Sequence, residues 1–145
     1  MNNDELLEKL KTVIKEKGLK YTKQREIIFE TLLNSDKHLN AEELYNIIAK
    51  EHPNENIGIA TVYRALAFLE ESALISSISL NNDGKKFEPV SKEHHDHIIC
   101  TKCNKIIEFV DNDIENKQEE VAKKHRFKLL NHTMYLYGIC SDCQQ

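Results

Sequence analysis

Two cysteine pairs, Cys100-x-x-Cys103 and Cys140-x-x-Cys143, constrain this chain more than any other feature. Each pair presents two thiolates from a tight turn, and 36 residues lie between the pairs. Together they make a tetrahedral four-sulfur zinc site. Four thiolates around one divalent cation leave no open coordination position, so the zinc is expected to be structural. Asn104 follows the first pair. It is one of the few residues other than glycine that tolerates the left-handed conformation such a turn often needs. A thiol oxidoreductase is the competing reading of any C-x-x-C; two such motifs without thioredoxin-like surroundings argue against it.

Immediately before the first pair runs His94-His95-Asp96-His97-Ile98-Ile99. If this stretch is extended, side chains alternate between faces. His95 and His97 then point one way, and His94 and Asp96 the other. One strand thus supplies two metal sites on opposite faces and enters a third through Cys100 and Cys103. Between the cysteine pairs, Lys105 to Val110 reads as a strand, Asp113 to His125 as a helix and Leu129 to Ile139 as a longer strand. Glu108 falls on the first strand, Glu115 in the first helical turn and His132 on the last strand. Each alone has an ordinary explanation: an exposed carboxylate, an acid complementing the helix dipole, a strand histidine.

A chain of 145 residues holds one large domain or two small ones. Its 30% charged and 40% hydrophobic residues are the balance of a soluble globular protein, not a disordered one. No apolar run approaches membrane-spanning length, and Met1 to Glu5 lacks the basic and apolar regions of a signal peptide. A cytoplasmic location and no membrane partner are expected, and in a reducing compartment paired cysteines read as metal ligands. The net charge of -4 argues at first sight against nucleic acid. Neither part of the chain is basic: residues 1–90 hold 12 Lys/Arg and 15 Asp/Glu, residues 91–145 hold 8 and 9. Yet Lys9, Lys11, Lys15, Lys17, Lys20, Lys23 and Arg25 face only Glu16 within their span. Such a patch binds phosphates where the average does not; from charge alone a solvated helix face explains it as well.

In the first half, Leu6, Leu7, Leu10, Val13 and Ile14 recur at helical spacing and Gly18 supplies a stop. Thr22 caps a second helix carrying Ile27, Ile28, Phe29, Leu32 and Leu33. Asn40 to Glu43 reads as a capping box for a third, with Leu44, Ile47 and Ile48 inward. Pro53 and Gly58 punctuate the next connection. A fourth helix from about Ile59 to Glu71 buries Val62, Ala65, Leu66 and Leu69. It leaves Thr61 and Arg64 on the other side, with Tyr63 near the boundary. Its first turn is nearly free of acid, which suits entry into a DNA major groove. There Tyr can touch phosphate or a thymine methyl, and Arg can pair with guanine. Ile75 to Leu80 and Lys85 to Val90 then form a hairpin about the turn Asn81-Asn82-Asp83-Gly84. Helices followed by a hairpin make a winged helix-turn-helix, with Lys85 and Lys86 where a wing would graze the DNA backbone.

These residues closely resemble the ferric uptake regulator family. The resemblance lies in Gly18-Leu19-Lys20-Tyr21-Thr22-Lys23-Gln24-Arg25, in Ile59 to Leu66, in His94 to Cys100 and in Lys105-Ile106-Ile107-Glu108-Phe109. It covers nearly the whole chain. It implies an α+β protein: a winged-helix DNA-binding domain at residues 1–88, then a small α/β dimerisation domain at 89–145 with a four-cysteine zinc site. It further implies a homodimer, and a tetramer in some forms, that represses from palindromic double-stranded operator DNA when a regulatory metal is bound. Carried over residue by residue, the regulatory ligands are His38, Glu88, His95, His97 and Glu108. The additional site is His94, Asp96, Glu115 and His132. On the DNA side, Tyr63 and Arg64 match the reading helix, Thr61 accompanies them, Lys20 matches a residue reaching the minor groove, and Arg25 a phosphate contact.

The regulatory set of nitrogen and oxygen suits Fe(II), Mn(II), Co(II) or Zn(II) without choosing. Peroxide-sensing relatives carry Asp at the position of Glu88, and zinc sensors commonly place a cysteine in that site. Here position 88 is Glu and the structural zinc uses every cysteine, which leaves Fe(II) as the expected regulatory metal. A manganese-, peroxide- or zinc-responsive regulator is the alternative within the family. Outside it stand a metalloenzyme and a zinc module that binds no DNA. Five protein ligands leave little room for the open position that catalysis needs. The zinc-deaminase pattern is also absent, so no enzyme activity is expected.

Overall fold

The periodicity of the first half produces four helices: α1 (Asn3–Glu16), α2 (Lys23–Leu33), α3 (Ala41–Glu51) and α4 (Ile59–Glu71). The structure is a computed structural model that describes residues 2–80, 84–90 and 94–145. On α1, Leu6, Leu10 and Ile14 form one buried stripe at four-residue spacing. Thr22 begins α2 as expected, its hydroxyl accepting the Arg25 N–H at 3.3 Å. The capping box of α3 is complete. Asn40 Oδ1 accepts the Glu43 N–H at 2.7 Å, and Glu43 Oε1 accepts the Asn40 N–H at 3.0 Å. Val62, Ala65, Leu66 and Leu69 of α4 close the core against Phe29, Leu32, Leu44 and Ile48.

The hairpin follows as β1 (Ile75–Leu80) and β2 (Gly84–Pro89), paired antiparallel from Ile75↔Pro89 to Leu80↔Gly84. Asn81, Asn82 and Asp83 of the expected turn lie outside the described residues; Gly84 takes φ +66°. A single bridge between Leu39 and Phe87 lashes the segment ahead of α3 to β2, through N–H···O bonds of 3.1 and 2.8 Å.

The second half forms β3 (Asp96–Cys100), β4 (Ile106–Phe109), α5 (Asn112–Lys124) and β5 (Tyr135–Gly138). The sheet order is β4-β3-β5, with β3 antiparallel to β4 and parallel to β5. The ligand strand is therefore central, and α5 provides the crossover that parallel pairing demands. Asp111 caps α5 by accepting the N–H groups of Asp113 and Ile114. The last strand is much shorter than the Leu129–Ile139 expected. Only Tyr135 to Gly138 finds a neighbour in the ladder, while the preceding stretch turns aside and carries His132 to the other ligands.

The fold is α+β, and the contacts divide it into two compact units, Met1–Lys92 and Glu93–Gln145. The first holds nearly all the buried hydrophobic side chains. In the second, Ile99, Cys100 and Ala122 are the buried apolar residues among those described, beside buried Asp96 and His97. Among the described residues no helix is long and apolar enough to cross a membrane.

Candidate metal centres and nucleic-acid interface

Cys100 ends β3, Cys103 lies in the turn after it, and after β5 Cys140 precedes a short 3₁₀ turn (Ser141–Cys143) that Cys143 ends. Pairing of Cys100 with Gly138 across β3 and β5 sets the two turns side by side. All four sulfurs lie within 4.8 Å of one another, with Cys103 Sγ 3.8 Å from Cys140 Sγ. Ligands about 2.3 Å from a tetrahedral zinc are separated by about 3.8 Å. Asn104 takes φ +63°, the left-handed turn the motif needs. The backbone N–H groups of Cys140 and Cys103 point at Cys100 Sγ (3.4 and 3.5 Å) and draw its thiol down to about 6. Contact with the Cys140 sulfur instead pushes the Cys143 thiol up to about 12. Such a cluster becomes four thiolates when a cation balances the charge.

Alternation about β3 divides the histidines. On one side, His94 and His132 Nε2 are 2.8 Å apart. Each also lies 3.2–3.4 Å from Asp96 Oδ1 and Glu115 Oε1. Four donor atoms at about 2.0–2.1 Å from a tetrahedral ion stand about 3.3 Å apart. Asp96 is 1% exposed. Both its oxygens and Glu115 Oε1 have no aligned hydrogen-bond donor, although the two imidazole nitrogens approach so closely. A buried carboxylate without donors is costly unless a cation meets it. The donor set and its geometry fit a divalent metal.

On the other side, His95 and His97 stack edge to face with ring centres 4.8 Å apart. His95 Nε2 is 3.5 Å from Glu108 Oε1. The register places Glu108 on β4 opposite His97, and Tyr135 on β5 opposite it from the other side, with ring centres 5.5 Å apart. In the first unit, the Leu39–Phe87 bridge puts His38 next to Glu88, Nε2 to Oε2 2.7 Å. Each unit thus carries its own group of nitrogen and oxygen donors.

On the outer face of α4, Tyr63 is 49% exposed and Arg64 is exposed beside it. Arg64 Nη2 donates to Thr61 Oγ1 at 3.2 Å. Gly58 provides no side-chain cap and the first turn holds no acid, so the positive end of the helix is open to an anion. Lys20 is exposed in the segment between α1 and α2. The Arg25 guanidinium lies over the Phe68 ring of α4 at 4.4 Å, with Lys17 5.1 Å from the same ring. The hairpin lysines each have an acidic neighbour. Lys85 reaches Glu70 at 3.4 Å and Lys86 reaches Glu43 at 3.6 Å, with the Lys86 side chain largely covered.

Residues 16–137 match the Ferric uptake regulator family. The chain belongs to the ferric uptake regulator family. The ferric uptake regulation protein of Campylobacter upsaliensis is 54% identical over 140 residues, 97% of this chain and 90% of that protein. The structure of the Helicobacter pylori ferric uptake regulator, described as revealing three functional metal-binding sites, superposes with a TM-score of 0.87. It is 44% identical, and the match covers 98% of this chain and 93% of that one. The Vibrio cholerae ferric uptake regulator superposes with a TM-score of 0.75 at 38% identity, over 89% of this chain and 98% of that one.

As a member of the ferric uptake regulator family the chain is a metal-binding transcriptional regulator. Sequence reasoning passed over two of the residues that shape these sites. Tyr135 packs on His97 only because β5 runs beside β3. Glu42, read in sequence as part of a capping box, turns its carboxylate to Tyr63 instead. Partners 21 and 38 positions apart leave no periodic signal.

Proposed function

We propose that this chain is an iron-responsive repressor acting in the cytoplasm. As a homodimer it binds palindromic double-stranded operator DNA when Fe(II) occupies a regulatory site made by His38, Glu88, His95, His97 and Glu108. Mn(II), Co(II) or Zn(II) can substitute for Fe(II). Residues 1–88 serve as the winged-helix DNA-binding domain and 89–145 as the dimerisation domain. Zn(II) on Cys100, Cys103, Cys140 and Cys143 is structural. The second set, His94, Asp96, Glu115 and His132, holds an additional metal.

The observation that carries this reading is the division of donors. One unit contributes His38 and Glu88, 2.7 Å apart, and the other contributes His95, His97 and Glu108 around one strand. When both groups close on one ion, the relative orientation of the two domains is held. The reading helix of each protomer then meets the operator at a fixed spacing. The bound metal supplies charge and a coordination preference; His95 and His97 must give up any protons to accept it. The three sets of donors also accord with the three functional metal sites described for the Helicobacter pylori relative. Dimerisation is supported by the thin core of the second unit. Its exposed apolar residues, among them Ile98, Ile107 and Leu136 in one row across the sheet, need a cover.

The test is an anaerobic DNA-binding titration with Fe(II), Mn(II) and Zn(II), starting from protein that retains its structural zinc. The expected result is operator binding that requires metal, weakens steeply with salt and loses sequence preference in Arg64→Ala. Metal-loaded protein that binds an inverted-repeat operator no better than random duplex would sink the proposal.

A further inference from the structure

Glu42 and Tyr63 make a contact that none of the metal chemistry requires. Glu42 stands in the first turn of α3, where Asn40 and Glu43 cap each other, so its carboxylate is not needed for the cap. It accepts the phenolic O–H of Tyr63, 21 positions along the chain, at 2.5 Å. Both side chains are exposed, and a polar contact between exposed groups adds little to folding. The carboxylate also lies next to the proposed DNA-reading surface, where a negative charge works against phosphate. Its presence at that point calls for a role in recognition rather than in stability.

We infer that Glu42 of α3 is a specificity-determining residue acting on the reading helix α4: by holding the phenolic proton of Tyr63, it turns that tyrosine toward bases and away from phosphate. The inference rests on the DNA-binding reading above. A phenol has one proton to donate and lone pairs to accept with. With the proton committed to Glu42, the oxygen offers DNA only acceptor capacity. Phosphate oxygens are acceptors and gain nothing there. The amino groups of adenine and cytosine are donors in the major groove, and the ring edge suits a thymine methyl. A phenol released from Glu42 would donate to any phosphate, a contact that carries no sequence information. The same hydrogen bond holds the Glu42 carboxyl below its usual range and the Tyr63 phenol above its own.

The experiment uses full-length, metal-loaded protein and a duplex selected from a random pool by the wild type, with unselected duplex as the reference. Glu42→Ala is expected to tighten binding to unselected duplex and narrow the selected-to-unselected ratio by roughly fivefold or more, the scale of one base contact. Glu42→Gln, which keeps an acceptor for the phenol but removes the charge, should retain most of the ratio. In a Tyr63→Phe background, Glu42→Ala should leave the ratio nearly unchanged and alter only the salt-dependent part. A ratio unaffected by Glu42→Ala, or narrowed equally in both backgrounds, overturns the inference. Ultraviolet titration of tyrosinate, wild type minus Tyr63→Phe, reports the contact itself: a phenol titrating at its ordinary value also overturns it. If the wild type selects no sequence from the pool, the DNA-binding reading falls first and takes this inference with it.

Discussion

Ala73 occupies a position that chemistry reserves for glycine. Three helices end in the same way, with the N–H of the second residue past the cap bonded five positions back and that of the first bonded three positions back. The pairs are Leu19→Ile14 and Gly18→Lys15 for α1, Leu74→Leu69 and Ala73→Glu70 for α4, and Phe127→Ala122 and Arg126→Lys123 for α5. The left-handed residue is Gly18 (φ +66°), Ala73 (φ +60°) and Arg126 (φ +61°) respectively. A Cβ in that conformation costs about 1–2 kcal/mol, part of which glycine returns as unfolded-state entropy. Ala73→Gly is therefore expected to stabilise the first unit by about 0.5–1 kcal/mol, read as a raised urea midpoint with unchanged slope. A lowered midpoint would show that the methyl contributes packing that outweighs its strain. Gly18→Ala should move the midpoint the other way by a similar amount.

At the level of the element, β3 is the centre of the second unit. It pairs on both sides, delivers ligands to both faces and ends in the first cysteine turn. Because successive side chains alternate, a one-residue slip would exchange His94 and Asp96 for His95 and His97 on every face. Cys100 and Cys103 prevent that slip when zinc holds them. Cys103→Ser is expected to release zinc and loosen this unit, seen as lost metal in a chelator assay and broadened near-ultraviolet circular dichroism. A well-folded variant retaining one zinc per chain would contradict the four-sulfur assignment. The second donor set makes a separate prediction. Asp96 is buried without hydrogen-bond donors, so protein holding only its cysteine-bound zinc should be stabilised by added Co(II) or Zn(II). The gain is about 2.7 kcal/mol at about one hundred times the dissociation constant. Asp96→Asn should diminish that gain, leaving the share that the regulatory donors contribute, and an undiminished response would exclude Asp96 as a ligand.

For the whole molecule, the two units differ in how much apolar surface they bury. The first buries a continuous core from Leu6 to Phe87. The second leaves Phe127 at 72% and Leu130 at 83% exposure, beside the sheet row of Ile98, Ile107 and Leu136. A unit of this size with so little interior needs metals, a partner or both. Leu136→Asp is accordingly expected to give a monomer in sedimentation that keeps its zinc but loses most operator affinity, because two half-sites are then bound independently. A dimer that persists would place the interface elsewhere. Metal-dependent DNA binding should also weaken as the medium is acidified from about pH 8 to about pH 5, since protons compete with the metal for imidazole nitrogen. Binding flat across that range would argue against histidine gating.

Much of this was legible in the residues themselves because it depends on local repeats. Helical stripes, the caps at Thr22 and Asn40, the left-handed turn at Asn104 and the two-residue alternation of His94 to His97 are properties of near neighbours, which a linear chain displays directly. The paired cysteines are equally local, and their chemistry names the ion they suit. What only the tertiary structure decided depends on meetings between distant segments. The bridge of Leu39 to Phe87 sets His38 against Glu88, the shortened β5 turns His132 toward Asp96, Lys85 and Lys86 pair with Glu70 and Glu43, and Glu42 accepts the hydroxyl of Tyr63. No period links those positions. Strand register and helix packing bring them together, and these are set by burial of the whole core rather than by any one segment.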